Sequence, residues 1–167
     1  MQQTEWTAVQ VLTGSELDTL RKVRAVHGVD AIAPMERIRH RNRAREIVRP
    51  LLPGYVLLQW NRDPRVYYAV RAVPGVIRFL GDGNPQAIPE EQMSAMLTLA
   101  RHCETGKPAP AVRVNGVTRI TGGPLARMPI KRVNARAGRA SIDVRLGNQT
   151  HTVSVAVDIV REGQNPD

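Results

Sequence analysis

The chain has 167 residues, 42% of them hydrophobic, and 24 basic against 15 acidic side chains give it a net charge of +9. That length allows one medium domain or two small ones, and the apolar content excludes a wholly disordered chain. A single cysteine, Cys103, excludes an intrachain disulfide and a cysteine-based zinc site.

The opening residues Trp6–Leu12 alternate in character and are rich in Val and Thr, which predicts a strand. Thr13-Gly14 is a turn. Ser15 can cap a helix carrying Asp18 at its third position, with Gly28 as its stop. Leu17, Leu20 and Val23 share the inward side of that helix, leaving Arg21, Lys22 and Arg24 outside. Val29–Ala33 reads as a second strand closed by Pro34. Arg37, Arg39, Arg41, Arg43, Arg45 and Arg49 then form an arm too dense in charge to fold on itself without an anion, and a hairpin or a loop fits it.

Pro53-Gly54 bends the backbone, and Tyr55–Gln59 is an apolar strand. Asp63-Pro64 starts a helix over Arg65–Ala72 that buries Val66, Ala69 and Val70. Pro74-Gly75 stops it before a strand at Val76–Leu80. Ile88-Pro89-Glu90-Glu91 opens a further helix whose Met93, Met96, Leu97 and Ala100 face inward, with the acids placed where the helix dipole favours them. The order β-α-β-β-α-β-α describes an α/β sandwich of about 100 residues, within the usual size of one domain.

Residues 104–111 carry two prolines and a glycine without an apolar face and read as a linker. Beyond them the pattern is all strand. Val112–Val114, Val117–Ile120, Ile130–Asn134, Ala140–Arg145, Thr150–Val155 and Ile159–Arg161 fit a small β-barrel with glycine turns. Residues 112–163 hold nine basic side chains against three acids.

The excess of charge is almost entirely arginine; only Lys22, Lys107 and Lys131 are lysines. Arginine's planar fork suits phosphates, guanine edges and stacking, so nucleic acid is the expected partner. Arginine-rich codon usage is the alternative. The four histidines, His27, His40, His102 and His151, lack ligand spacing. No phosphate loop, paired catalytic carboxylates or Ser/His/Asp set emerges, so neither an enzyme nor a cofactor is expected. No secretion signal or membrane-length apolar run is seen, and the expectation is a cytoplasmic monomer without a membrane partner.

Five segments together resemble the NusG family of bacterial transcription elongation factors. They are Trp6-Thr-Ala-Val-Gln10 with Gly14-Ser-Glu16, Leu52-Pro-Gly-Tyr-Val-Leu-Leu58, Val70-Arg-Ala-Val-Pro-Gly-Val76 with Phe79-Leu-Gly81, Ala87-Ile-Pro89, and Val117-Thr-Arg-Ile-Thr-Gly-Gly-Pro-Leu-Ala126. The last is similar to the opening of a KOW domain. Two features depart from the family pattern: Leu51 and Leu52 stand where aromatics are usual, and Met128-Pro129-Ile130 stands where a KOW glycine is usual.

The resemblance implies an α+β protein. Its NusG-type N-terminal α/β sandwich, an antiparallel sheet flanked by helices, would span residues 1–103. A linker at 104–111 would lead to a KOW domain, a small SH3-like barrel, at 112–163. The family implies binding of RNA polymerase by the first domain beside upstream DNA, and binding of Rho, a ribosomal protein or nascent RNA by the second. Ala33-Pro34-Met35 is similar to RfaH. The arginine-rich KOW strand and Val155-Ala-Val-Asp-Ile-Val160 are similar to LoaP-type antiterminators, which favours an operon-specific paralogue over a general factor. A KOW-containing ribosomal or translation RNA-binding protein is the alternative of another class.

Trp6, Leu52, Tyr55 and Leu57 are then the candidates for an apolar polymerase-facing surface, with ordinary core packing as the other reading. Arg21, Lys22, Arg24, Arg71 and Arg78 are candidates for DNA, and Arg41, Arg43 and Arg45 for the nucleic acid at the upstream fork. Arg127, Lys131, Arg132, Arg136 and Arg139 cluster on one presumed hairpin and are candidates for RNA. That half has no Phe, Trp or Tyr, so backbone and groove contacts would dominate over base stacking. For each basic residue the alternative is a solvated face.

Overall fold

The structure is a computed structural model and describes residues 3–39, 44–81 and 83–161, with Arg161 by its backbone only. In chain order the elements are β1 (Glu5–Val11), α1 (Glu16–Arg24), β2 (Asp30–Ile32), β3 (Met35–Arg39), β4 (Glu46–Pro50), β5 (Tyr55–Trp60), α2 (Pro64–Arg71) and β6 (Val76–Phe79). They continue with β7 (Ala87–Ile88), α3 (Glu90–Glu104), β8 (Ala109–Val114), β9 (Val117–Ile120), β10 (Ile130–Asn134), β11 (Arg139–Leu146) and β12 (Gln149–Arg161). Two compact units result. One holds the chain up to Pro34, Pro50–Ser94 and Leu146–Gln149; the other holds Met35–Arg49, Ala95–Arg145 and the chain from Thr150.

In the first unit the strands are ordered β2-β5-β1-β6, with β7 also on β1, and every pairing is antiparallel. Alternate residues of a strand face opposite ways. Val9 and Val11 of β1 and Val56, Leu58 and Trp60 of β5 therefore share a face, where they pack with Leu20 and Val23 of α1, Val66 and Val70 of α2, and Phe79. The Trp60 ring lies 5.3 Å from Phe79 and 6.4 Å from Tyr67, centroid to centroid, and its Nε1 donates to Thr7 Oγ1 at 3.1 Å. The buried indole nitrogen is thus satisfied inside an otherwise apolar layer.

Both helices on this face depart from their periodicity at one position. In α1, Leu17 is 51% exposed while Glu16 and Thr19 are buried with Leu20 and Val23. In α2 the Asp63 carboxylate accepts the Arg65 N–H at 2.9 Å and Pro64 fills the first turn, as the sequence signals predict. Ala69, expected inside, is exposed, and the half-buried Tyr67 takes its place against Trp60 and Phe79. In α3, Met93, Met96 and Ala100 are buried as expected, while Leu99 is fully buried and Leu97 only half. This helix runs to Glu104, and Cys103 lies on its buried side.

In the second unit, β8 to β12 form one sheet in the order β10-β11-β12-β8-β9, whose outer strands β9 and β10 also approach each other. The two strands expected at 150–155 and 159–161 are one continuous strand of 13 residues. Its second half runs parallel to β8, from Val157↔Ala109 to Arg161↔Arg113, so β8 begins at Ala109, inside the proline-rich stretch. Ala140, Ile142 and Val144 of β11 and Val153, Val155 and Val157 of β12 alternate inward and are buried. The arginine arm forms a separate two-stranded ribbon, β3 with β4.

Candidate nucleic-acid and partner interface

Trp6 pairs across the sheet with Gln59, Ala8 with Leu57, and Gln10 with Tyr55. Paired residues share a face, so Trp6, Tyr55 and Leu57 lie together on the side of the sheet opposite the aromatic core. Their exposure differs. Trp6 and Tyr55 are half-buried, whereas Leu57 is 0% and Leu52 is 1% exposed. Of the four apolar candidates, only the two aromatics offer surface to a partner in this conformation. Leu52 and Leu57 are packing residues here.

Glu16 holds this region in shape. Its carboxylate accepts the Gly54 N–H at 2.9 Å and the Gly14 N–H at 3.0 Å, so it ties the turn before α1 to the turn before β5. Ser15, expected to cap α1, makes no side-chain capping bond. Burial raises the Glu16 pKa, but backbone hydrogen bonds from Gly54, Glu16 and Gly14 outweigh it and bring the group below 4.5. Glu16 is therefore a charged, satisfied anchor.

The basic residues divide by what already holds them. Arg21 and Lys22 both reach Asp18, at 3.4 and 3.0 Å, on the exposed side of α1. Arg24 donates to the Ala31 carbonyl at 2.8 Å and so fastens α1 to β2. Arg71 lies over the Tyr67 ring at 5.7 Å, and Arg78 donates to Gln10 Oε1 at 2.9 Å. All five are exposed. In exposed settings such contacts are weak and leave the guanidinium able to take a phosphate.

In the second unit, Arg139 departs from its expected role. It is bonded to the buried Glu36 at 2.7 Å and to the Ser154 hydroxyl and carbonyl at 3.0 and 2.8 Å. Its side chain is only 20% exposed, so it is a structural residue, held by a carboxylate that sequence spacing cannot pair with it. Arg127, Arg132 and Arg136 are exposed and form no ion pair with a described residue. Lys131 reaches Asp143 at 3.4 Å. A hydrogen bond from Thr152, together with Lys131, holds the Asp143 carboxyl below its ordinary range. Arg45 is exposed beside β4. Arg41 and Arg43 lie outside the described residues.

Two acidic side chains, Glu16 and Glu36, organise this arrangement, and hydrophobic periodicity singles out neither. The signal available for Glu16 is its place next to a Gly-Ser turn. Among the described residues no group of His, Cys, Asp and Glu could hold a metal ion, and no helix is long and apolar enough to cross a membrane.

A family profile described as "Transcription termination factor nusG" matches residues 4–97. The chain belongs to the NusG family. The transcription termination/antitermination protein NusG of Vibrio vulnificus is 27% identical over 156 residues, covering 84% of this chain and 86% of the relative. NusG of Yersinia pestis is 23% identical over 173 residues, covering 95% and 96%. Among solved structures, one described as "Domain interaction in Thermotoga maritima NusG" superposes with a TM-score of 0.64 at 21% identity, covering 93% of this chain and 94% of that one.

These matches place the chain among transcription elongation and antitermination factors, and set aside the ribosomal KOW protein as the alternative class. The fold adds what the segments do in three dimensions. Gly14-Ser-Glu16 and Pro53-Gly54-Tyr55, distant in sequence, meet through the Glu16 carboxylate.

Proposed function

We propose that this NusG-family chain binds RNA polymerase through residues 1–103 and favours processive elongation and antitermination. The KOW region, beginning at β8, holds RNA or a partner factor. The role is non-enzymatic: binding energy favours the elongating state of the polymerase, in the cytoplasm of a bacterial cell. The observation that carries this reading is the shared sheet face of Trp6 and Tyr55, two partly exposed aromatics beside the turn anchored by Glu16. An aromatic anchor in an apolar surround is what docking of a partner helix requires.

The operon-specific reading is supported by Arg127, Arg132 and Arg136, three exposed arginines without ion pairs among the described residues, in a region rich in positive charge. The names of the relatives, termination/antitermination NusG proteins, favour a second reading, a general NusG that couples polymerase to Rho or the ribosome. A pause assay with purified bacterial polymerase tests the polymerase claim. Pausing is expected to fall with the intact protein and to return with Tyr55→Ala. No effect of the intact protein at saturation overturns the reading.

A further inference from the structure

Within the second unit, β3, the end of α3 with the turn after it, and the turn before β11 enclose a cleft of about 420 Å³. Four cationic residues line it, Arg37, Arg39, Lys107 and Arg139, against two acids, Glu36 and Asp158. Gly106 lets the turn after α3 come close to β3: a Cβ there would stand 3.2 Å from the Arg37 carbonyl and 3.5 Å from Arg39 Nε. The Arg39 guanidinium therefore lies beside the turn that carries Lys107. Glu46 orders both β3 arginines, taking Arg37 through Nη1 at 2.6 Å and Arg39 through Nε at 3.0 Å. Each guanidinium keeps further N–H donors. Lys107 has no ion pair among the described residues. Of the two acids, Glu36 is 4% exposed and already bonded to Arg139 and Arg49. Asp158 is exposed and has no ion pair among the described residues. His102 also lines the cleft, and its Nε2 is buried without a hydrogen-bond partner among the described residues. Burial holds the His102 pKa below its ordinary value, so the ring is neutral near pH 7. An unpaired buried polar atom is costly, and a ligand oxygen would satisfy this one.

We propose that this cleft binds a small sugar phosphate, with the phosphate on Arg37, Arg39 and Lys107 and a sugar hydroxyl on Asp158. Small-ligand sites span roughly 300–1,000 Å³, and the cleft falls in that range. Two guanidiniums on one carboxylate leave one positive charge over, and Lys107 adds a second. That excess matches a phosphate monoester, which carries about −1.5 to −2 at pH 7. Charge-assisted N–H bonds to phosphate are also the strong kind. Asp158 would repel the phosphate but accepts hydroxyls, which favours an organic phosphate over the inorganic ion. No Phe, Tyr or Trp lines the cleft, so a nucleobase has no ring to stack on. The site goes beyond the polymerase and nucleic-acid reading and does not depend on it.

Isothermal titration of the full chain with ribose 5-phosphate, ribose, inorganic phosphate and adenosine monophosphate tests this. Ribose 5-phosphate is expected to bind once per chain, at least about tenfold tighter than ribose or inorganic phosphate and no more weakly than the nucleotide. Lys107→Gln and Arg37→Gln should each weaken it about tenfold, the loss of one hydrogen bond to a charged group. Arg145→Gln, an exposed cation outside the cleft, should leave it unchanged. Asp158→Asn should weaken ribose 5-phosphate but not inorganic phosphate. Lys107, Arg37 and Asp158 are exposed, and unchanged thermal melts would show that the variants fold. A readout free of any variant is the His102 ring, whose proton resonances should shift when ribose 5-phosphate is added to the wild-type chain. The proposal is overturned by no saturable binding, by unmoved His102 resonances, or by inorganic phosphate binding as tightly as the sugar phosphate. Equal weakening by Arg145→Gln and Lys107→Gln overturns it as well, since attraction to the net charge would then suffice. A nucleotide bound tenfold tighter overturns the sugar-phosphate assignment.

Discussion

The Glu16 carboxylate and the Gly54 backbone N–H, 38 residues apart in sequence, are joined by a 2.9 Å hydrogen bond. Glu16 is 3% exposed and also takes the Gly14 N–H. It thereby fixes where β5 begins and, with it, where Tyr55 stands on the sheet face proposed to meet the polymerase. Gly54 adopts a φ of +82°, which glycine reaches without strain, and that conformation aims its N–H at Glu16.

Replacing Glu16 by Ala should leave two backbone donors without their acceptor and cost roughly 2–4 kcal/mol of stability, with Gln costing about half as much. The pH dependence has a definite sign. The folded-state pKa is depressed below 4.5, so the contribution is complete above the unfolded value and is lost as pH falls through the folded one. Urea unfolding of the native protein should show stability falling as pH drops below about 4.5, and Glu16→Gln should flatten that decline. An equal decline in the variant would show that Glu16 does not carry it.

Arg139 and its neighbours should separate cleanly. Arg139→Ala removes the shorter of two ion pairs from the buried Glu36. It should cost about 1–3 kcal/mol, discounted from a fully buried pair because Arg49 remains and is half exposed. Arg132→Gln and Arg136→Gln should change stability by less than about 0.5 kcal/mol. Each should instead lower the salt slope of RNA binding by about 0.7–0.9 if it neutralises one phosphate. A stability loss at Arg132, or a slope change at Arg139 without one, would reverse the assignment.

Why Arg139 and Arg136 look alike in sequence also explains what else was hidden. Helix and strand periodicities report local geometry, and they correctly outline β1, α2, β5 and most of the second-unit strands. They assign Leu17 to the core because leucine is apolar. That place near the helix start is taken by Glu16, whose partner Gly54 lies in another part of the chain. Tyr67 displaces Ala69 for a similar reason: the core needs an aromatic that fits between Trp60 and Phe79. Family segments and strand alternation both put Trp6 and Tyr55 on the sheet face proposed for docking. The buried state of Leu52 and Leu57, and the hold of Glu36 on Arg139, depend on elements that meet only in three dimensions.

Cys103 should be inert in the native protein. Burial pushes its thiol up to about 12, with Glu36 raising it further and Arg139 opposing. At pH 8 about one molecule in ten thousand would carry the thiolate, the reactive form. An aromatic disulfide reagent should therefore label Cys103 only as the surrounding structure opens, and addition of urea should raise the rate steeply. Arg139→Ala should speed labelling in proportion to its loss of stability. Rapid labelling of the native protein would show that the α3 environment of Cys103 is open in solution.

Gly75 sits where α1 approaches the turn after α2. Its φ is +97°, and a Cβ there would collide with Thr19 Oγ1. Thr19 is 1% exposed and its hydroxyl has no hydrogen-bond partner among the described residues, so it is tightly enclosed. Gly75→Ala should cost roughly 2–4 kcal/mol, the left-handed backbone penalty plus the clash. Gly14→Ala, at φ +92° with open space around it, should cost only the backbone part, about 1–2 kcal/mol. Thr19→Ala alone should be close to neutral, since it removes an unsatisfied hydroxyl but leaves a small void. In the Gly75→Ala background it should restore the clash part, a coupling of at least about 1 kcal/mol in a double-mutant cycle read by thermal or urea unfolding. Additive losses would show that the two residues do not meet in solution.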